Sequence, residues 1–268
     1  MTSVSVEQLY EVWAGDGELR AKVRRSLEPR GTEWLFELFA SLGPRAGELL
    51  VDVGCGDARH AIRLVREHGL RAVALDALPL QVERARAEVA AAGLAAELTV
   101  VEGAVEELPL DDASTDWIWC RDVLVHADGR RGLAECARVL RPGGRMVAYV
   151  TLATELLEPR EAGALVDALA LVPESLDAAA LESAADEGGL AQISVHRLGG
   201  EWRERMIEDG TWNASETLLE VSRLRRRERE LTDEFGAAAV AACAAGSLWG
   251  VYQLVGKLAP AVYVWERR

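Results

Sequence analysis

The sequence predicts an α/β fold built on a doubly wound, mostly parallel sheet, and three observations carry that prediction. From residue 48 onward, short apolar runs alternate with amphipathic stretches of helical period. A turn containing two glycines, Asp52-Val53-Gly54-Cys55-Gly56-Asp57-Ala58, joins the first run to the first of those helices. An acid, Asp76, ends the second run, 20 residues beyond Gly56. Such alternation places parallel strands side by side with helices covering both faces.

The elements follow in order. Ser5 and Gln8 have capping-box spacing, and Leu9, Val12 and Trp13 recur at helical intervals, so a short amphipathic helix is expected first. A second helix is expected over residues 32–42. Residues 49–53 form the first strand, 58–68 a helix, and 71–75 the second strand. Residues 79–92, with Pro79 at the start and Gly93 past the end, form the next helix, and 97–101 the third strand. Strands at 116–120 and 145–151 flank a helix near 130–140, which makes five repeats. After Thr151 the rhythm breaks into loop and helix to about residue 176, a helix over 175–187 that ends at Gly188-Gly189, and a sixth strand over 191–198. Residues 203–258 read as helical, with a start at Asn213 or Ser215. Pro260 ends that region, and 261–265 is the seventh strand. The expected organisation is an N-terminal helical cap (1–44), a core (45–203 and 260–268), and a helical insertion (204–259) before the last strand, acting as substrate cap or dimer contact.

Composition narrows the function. Half of the 268 residues are hydrophobic, enough for a sizeable core. With 30 Lys and Arg against 44 Asp and Glu, the net charge of −14 opposes a phosphate backbone, so no nucleic-acid partner is expected. The 4 cysteines, Cys55, Cys120, Cys136 and Cys243, are scattered and none has CxxC spacing, which argues against a zinc site or a disulfide framework and fits a reducing, cytoplasmic setting. The first 19 residues carry acids where an export signal needs a basic start. Residues 235–256 are uncharged and long enough to span a bilayer. Ala and Gly dominate this run, Gln253 interrupts it and the charged stretch 223–234 precedes it, so it is read as a buried helix with no membrane partner.

The chemistry gathers at the glycine turn. Glycines allow a tight turn and a close ligand approach to a helix N-terminus. Dinucleotide-binding turns present bare amides to a pyrophosphate, whereas here Asp52 and Asp57 would repel a phosphate and favour a cation. Asp76 stands where a carboxylate can accept both hydroxyl protons of a ribose. The expected ligand is a cationic nucleoside.

At these residues the chain resembles the class I S-adenosylmethionine-dependent methyltransferases that act on small molecules. Val51-Asp52-Val53-Gly54-Cys55-Gly56 is similar to their first motif, Asp76 to the second, and Leu140-Arg141-Pro142-Gly143-Gly144 to the loop before strand five. The likeness is best over residues 49–150, weaker to 198, and slight at both ends. It implies a seven-stranded sheet with the last strand antiparallel, and S-adenosyl-L-methionine as cofactor with S-adenosyl-L-homocysteine as product. It also implies that Asp52, Gly54, Cys55, Gly56 and Asp57 lie near the methionine part, Asp76 and Ala77 near the ribose, and Arg121 beside the cofactor. The family often has Gly-Asp-Ala after strand three, its Asp on the adenine amino group. Here Gly103-Ala104-Val105-Glu106 stands in that place, which leaves adenine to the backbone of Ala104 and Val105 and the side chain of Glu106, or leaves the cofactor more weakly held. Ala58 replaces the third glycine.

Methyl transfer from a sulfonium is an in-line displacement that needs alignment, with a base only where the acceptor must lose a proton. Arg121 and Asp122 follow strand four at the carboxyl edge of the sheet and His126 lies four residues on, so Asp122 or His126 is the candidate base, His126 alternatively being part of the acceptor-site wall. His60 is read as a structural neighbour. Tyr10 and Trp13 serve as a lid or as core. Trp212, Trp249 and Tyr252 line an acceptor pocket or pack a dimer. The arginines of 223–229 interleave with Glu220, Glu228 and Glu230, as on an ion-paired, solvated face. No Asn/Asp-Pro-Pro-Tyr/Phe tetrapeptide follows strand four and no paired acids follow strand five, so amino-methylation of nucleic acid and metal-assisted chemistry are not expected. The resulting expectation is methyl transfer to an O, N or C atom of a small molecule, with a catalytically silent S-adenosylmethionine-binding protein as the alternative.

Overall fold

The computed structural model describes residues 4–15 and 17–268; residues 1–3 and 16 of the expected cap lie outside them. The capping box forms as its spacing requires: the Ser5 amide donates to Gln8 Oε1 at 2.9 Å and the Gln8 amide to Ser5 Oγ at 3.1 Å. It opens α1 (Val6–Gly15), followed by an unanticipated α2 (Gly17–Val23), and neither helix buries any residue. In α3 (Thr32–Ser41), by contrast, Leu35, Phe36 and Phe39 enter the main core, so α3 is part of the core layer rather than of a cap ending at residue 44.

The alternating region then reads β1 (Leu49–Val53), α4 (Arg59–His68), β2 (Arg71–Asp76), α5 (Pro79–Ala92), β3 (Leu98–Glu102), β4 (Thr115–Arg121), α6 (Gly129–Val139) and β5 (Leu140–Ala153). Beyond it lie α7 (Pro159–Leu169), α8 (Ala178–Glu187) and β6 (Leu190–Arg197). The expected helix over 175–187 starts later, because Asp177 turns its side chain onto the amides of Ala179 and Ala180 and caps α8 there. The seven strands lie in the order β3-β2-β1-β4-β5-β7-β6, with β7 (Leu258–Arg267) antiparallel to both neighbours. This is the seven-stranded, mostly parallel sheet that the sequence predicts.

Period-2 alternation explains the two covered faces. Leu50, Trp117, Trp119 and Val147 pack with α3, α4 and α5, while Val51, Ile118, Cys120 and Ala148 pack with α6 and α8. Residues 141–144 loop out as a bulge between the pairs Thr115–Leu140 and Trp117–Arg145. The winding reverses between β1 and β4, which opens a crevice at their carboxyl ends.

The single helical stretch expected over 203–258 is four helices: α9 (Glu201–Glu208), α10 (Ala214–Arg226), α11 (Glu228–Phe235) and α12 (Ala237–Leu254). Gly210 and Gly236, both at positive φ, mark two of the breaks. The expectation that the uncharged run is buried is not met. Within α12 only Ala245, Gly250 and Gln253 are buried, and its alanine-rich first half faces outward. Small side chains leave little area to cover, and the buried positions fall only from Ala245 onward.

Candidate active site

The crevice between β1 and β4 holds a cavity of about 250 Å³, walled by residues 54–57, Asp52, Arg59 and His60 on one side and Arg121 and Asp122 on the other. Gly54 has φ +67°, and a Cβ there would lie 2.0 Å from Val123 Cγ2, so both the turn and the close approach of the segment after β4 demand glycine. Gly56 (φ +55°) has nothing within 4 Å of the place a Cβ would occupy. Ala58, standing where a third glycine is usual, takes the left-handed conformation at φ +59° just before α4.

Three carboxylates surround the turn, each in a different electrostatic state. Asp52 is 3% exposed, and its Oδ2 has no hydrogen-bond partner among the described residues. Burial pushes its pKa up to about 7, opposed by the Ala61 amide and reinforced by Asp76 and Asp57. Asp57 is held below the usual carboxylate range by Arg59, whose Nε lies 2.9 Å from both of its oxygens, so its charge is largely answered within the protein. Asp76 accepts from the Gly56 amide through Oδ2 and from the Leu78 amide through Oδ1, both at 2.9 Å. A carboxylate has about four lone-pair sites, so each oxygen keeps room for a further donor. Burial drives the Cys55 thiol pKa well up, leaving it a neutral wall.

Across the cavity, Arg121 Nη1 lies 3.2 Å from His60 Nε2, and Trp119 Nε1 donates to His60 Nδ1 at 3.3 Å. A neutral imidazole has one lone pair for these two donors. Burial and the Arg121 charge lower the His60 pKa to about 4, so the ring is neutral at physiological pH. The Arg121 guanidinium lies 5.5 Å from the Tyr149 ring and 5.7 Å from Trp202, and its Nε is buried without a partner. Asp122 takes a left-handed backbone, φ +57°, with its amide on Tyr149 O at 3.0 Å. Burial raises its pKa against the pull of Arg121, Arg203, Thr151 and His126.

The other sequence-derived candidates spread out. Ala77 is exposed beyond Asp76. The segment after β3 is tied to β2 by the Gly103 amide on Asp76 O at 3.0 Å, but Val105 points into the core and Glu106 Oε1 accepts from the Asp128 amide at 3.1 Å. His126 is exposed, with Nδ1 3.1 Å from Ala170 O, and does not line the cavity. Tyr10 and Trp13 meet edge to face on exposed α1. Trp249 and Tyr252 pack on the α7 cluster, whereas Trp212 lies near the Arg203 guanidinium, 5.1 Å away. Sequence reasoning missed Arg203, Tyr149 and Thr151, which act on Asp122 from α9 and β5, and Gln253 on α12, which bonds to Arg203 and Thr151. Gln253 alone carried a signal, as the one side-chain amide in the uncharged run.

Residues 51–148 match the model of a methyltransferase domain. Among curated proteins, the 27-O-demethylrifamycin SV methyltransferase of Amycolatopsis mediterranei is 35% identical over 144 residues, 53% of this chain and 52% of that one. The dimethylglycine N-methyltransferase of Parasynechococcus marenigrum is 30% identical over 162 residues, 58% of each. The chain thus spans about half the length of the curated relatives it matches. In fold, geranyl diphosphate C-methyltransferase from Streptomyces coelicolor A3(2), solved with S-adenosyl-L-homocysteine, superposes with a TM-score of 0.67 at 13% identity, covering 88% of this chain and 77% of that one. The glycine turn, the acid closing β2 and the strand order with β7 reversed agree with these matches, and residues 51–148 form a domain similar to those of the class I S-adenosylmethionine-dependent methyltransferases.

Proposed function

We propose that the protein transfers the methyl group of S-adenosyl-L-methionine to an oxygen, nitrogen or carbon atom of a small organic molecule by in-line displacement. The observation that carries this reading is the turn itself. Asp76 holds the Gly56 amide while keeping lone pairs free, and Asp52 presents an unpartnered buried oxygen in the same crevice. These features fit a cofactor with a ribose at one end and positive charge at the other. Bound there, it supplies an electrophilic methyl group on sulfur. Asp76 accepts the ribose hydroxyls, Asp52 answers the cationic end, and Leu78, 60% exposed just past Asp76, offers an apolar surface for the base.

Asp122 is better placed than His126 to take a proton from the acceptor, because it lines the cavity and its raised pKa brings it closer to the working pH. The relatives supply the acceptor class. Their names put methyl groups on O, on N and, in the structural neighbour, on C of small molecules. A net charge of −14 and four free cysteines support a small-molecule acceptor in a reducing, cytoplasmic setting.

Calorimetric titration with S-adenosyl-L-methionine and S-adenosyl-L-homocysteine tests the reading. Both are expected to bind, with Asp76→Ala weakening them about tenfold or more through lost charge-assisted hydrogen bonds. No binding of either by the unsubstituted protein would sink it. The second reading, a silent cofactor-binding protein, draws on Ala104 in place of the adenine-binding acid, and is excluded once S-adenosyl-L-homocysteine accumulates with any acceptor.

A further inference from the structure

Gln253 sits in α12, 1% exposed, in a run otherwise free of amide and charged side chains. Burying a side-chain amide is costly unless both of its ends are satisfied. Here both are: Arg203 Nε donates to Gln253 Oε1 at 2.6 Å, and Gln253 Nε2 donates to Thr151 Oγ1 at 2.9 Å. Chemistry fixes this orientation, since a guanidinium only donates and the amide must turn its oxygen toward it. Thr151, 0% exposed on β5, therefore accepts from Gln253 and has one O–H left to give. Thr151 Oγ1 lies 3.5 Å from Asp122 Oδ1, the longest link of the three, with the Tyr149 hydroxyl as a second neighbour of the same group.

All three bonds thus run in one direction, from a guanidinium on α9 through an amide on α12 and a hydroxyl on β5 to the carboxyl group after β4. Bonds aligned in this way polarise one another. Asp122 holds a left-handed backbone that a non-glycine residue keeps only where its surroundings determine it. The charged and titratable groups facing it are Arg121 in its own segment, Cys120 on β4, Tyr149 on β5, His126 in the following turn and Arg203 on α9. Among them all, Thr151 provides the hydrogen bond to its carboxyl oxygen.

We infer that Gln253, acting through Thr151, is a positioning residue for Asp122, so that the helices before the last strand set the orientation and protonation of the group at the cavity wall. This rests on the function proposed above, in which Asp122 takes the acceptor's proton.

The test needs no acceptor. Protein labelled with ¹³C at its aspartate carboxyl carbons is titrated by NMR, the Asp122 signal being assigned by its loss in D122N. T151V removes the hydroxyl at nearly constant volume, and Q253L removes both amide ends. Each is expected to raise the Asp122 midpoint by about one pH unit, with T151S returning it to that of the parent. If Q253L does not fold, T151V and T151S decide the matter. A midpoint unmoved in folded T151V, or a shift that T151S fails to reverse, overturns the inference. The same samples are titrated calorimetrically with S-adenosyl-L-homocysteine. Binding by the parent with an unmoved midpoint refutes the positioning role alone, whereas no binding by the parent refutes the functional reading whatever the midpoint does.

Discussion

Asp52 couples the cofactor site to the stability of the fold. In the native protein its pKa stands near 7, against the ordinary aspartate range in the unfolded chain, so between about pH 4 and pH 7 the folded state binds more protons than the unfolded one. Its contribution to stability is therefore complete below that window and is lost as pH rises through it, at up to about 1.4 kcal/mol per unit. Melting temperatures measured from pH 4.5 to 8 should fall up to about pH 7 and level off above it in the parent, and fall less in Asp52→Asn. Equal slopes in the two proteins would show that Asp52 is not the group responsible. The same residue shows how far a site can be read from sequence. Residues 52–57 are contiguous and Asp76 ends the adjacent strand, so spacing alone brings them together. Thr151 and Gln253 stand 102 positions apart when they bond, and Thr151 reaches Asp122 across 29. Periodicity carries no signal over such separations.

At the level of elements, a side-chain cap rather than hydrophobic period decides where α8 begins. Asp177 accepts from the Ala179 amide at 2.8 Å and the Ala180 amide at 3.4 Å, and the chain before it forms a separate short turn over Pro173–Leu176. Asp177→Ala should lower stability by about 1 kcal/mol, read as a shift in denaturant midpoint at unchanged slope. A shift below about 0.3 kcal/mol would mean that packing of Leu181 and Ala184 fixes α8 without its cap. β1 to β4 were legible within a residue, because each is a compact apolar run between a helix and a turn, whereas β5 begins five residues before its expected start, ahead of the bulge at 141–144. The insertion was not. High helix propensity runs through residues 203–258, while the break at Arg227 follows from how α10 and α11 both turn to reach α12. The exposure of α12 was equally hidden, since an alanine-rich, uncharged run reads the same whether it is covered or not.

For the whole molecule, the charge of −14 is carried on a surface where many acids are already paired, as in Arg63 with Glu33 and Glu67 or Arg145 with Glu266. The unpaired excess repels itself, and salt shortens the Debye length from about 30 Å at 0.01 M to about 8 Å at 0.15 M. The melting temperature should rise over that interval; a fall would mean that surface ion pairs outweigh net repulsion. The sheet has a different kind of consequence. β7 lies between β5 and β6, yet residues 198–257 separate it from β6. While the chain is being synthesised, β6 therefore leaves the ribosome with no strand to pair with, and β5 carries an open edge until the whole of α9 to α12 has emerged. Chaperones that shield exposed strand edges have their target in that interval, and β7, arriving later, closes both edges in a single step.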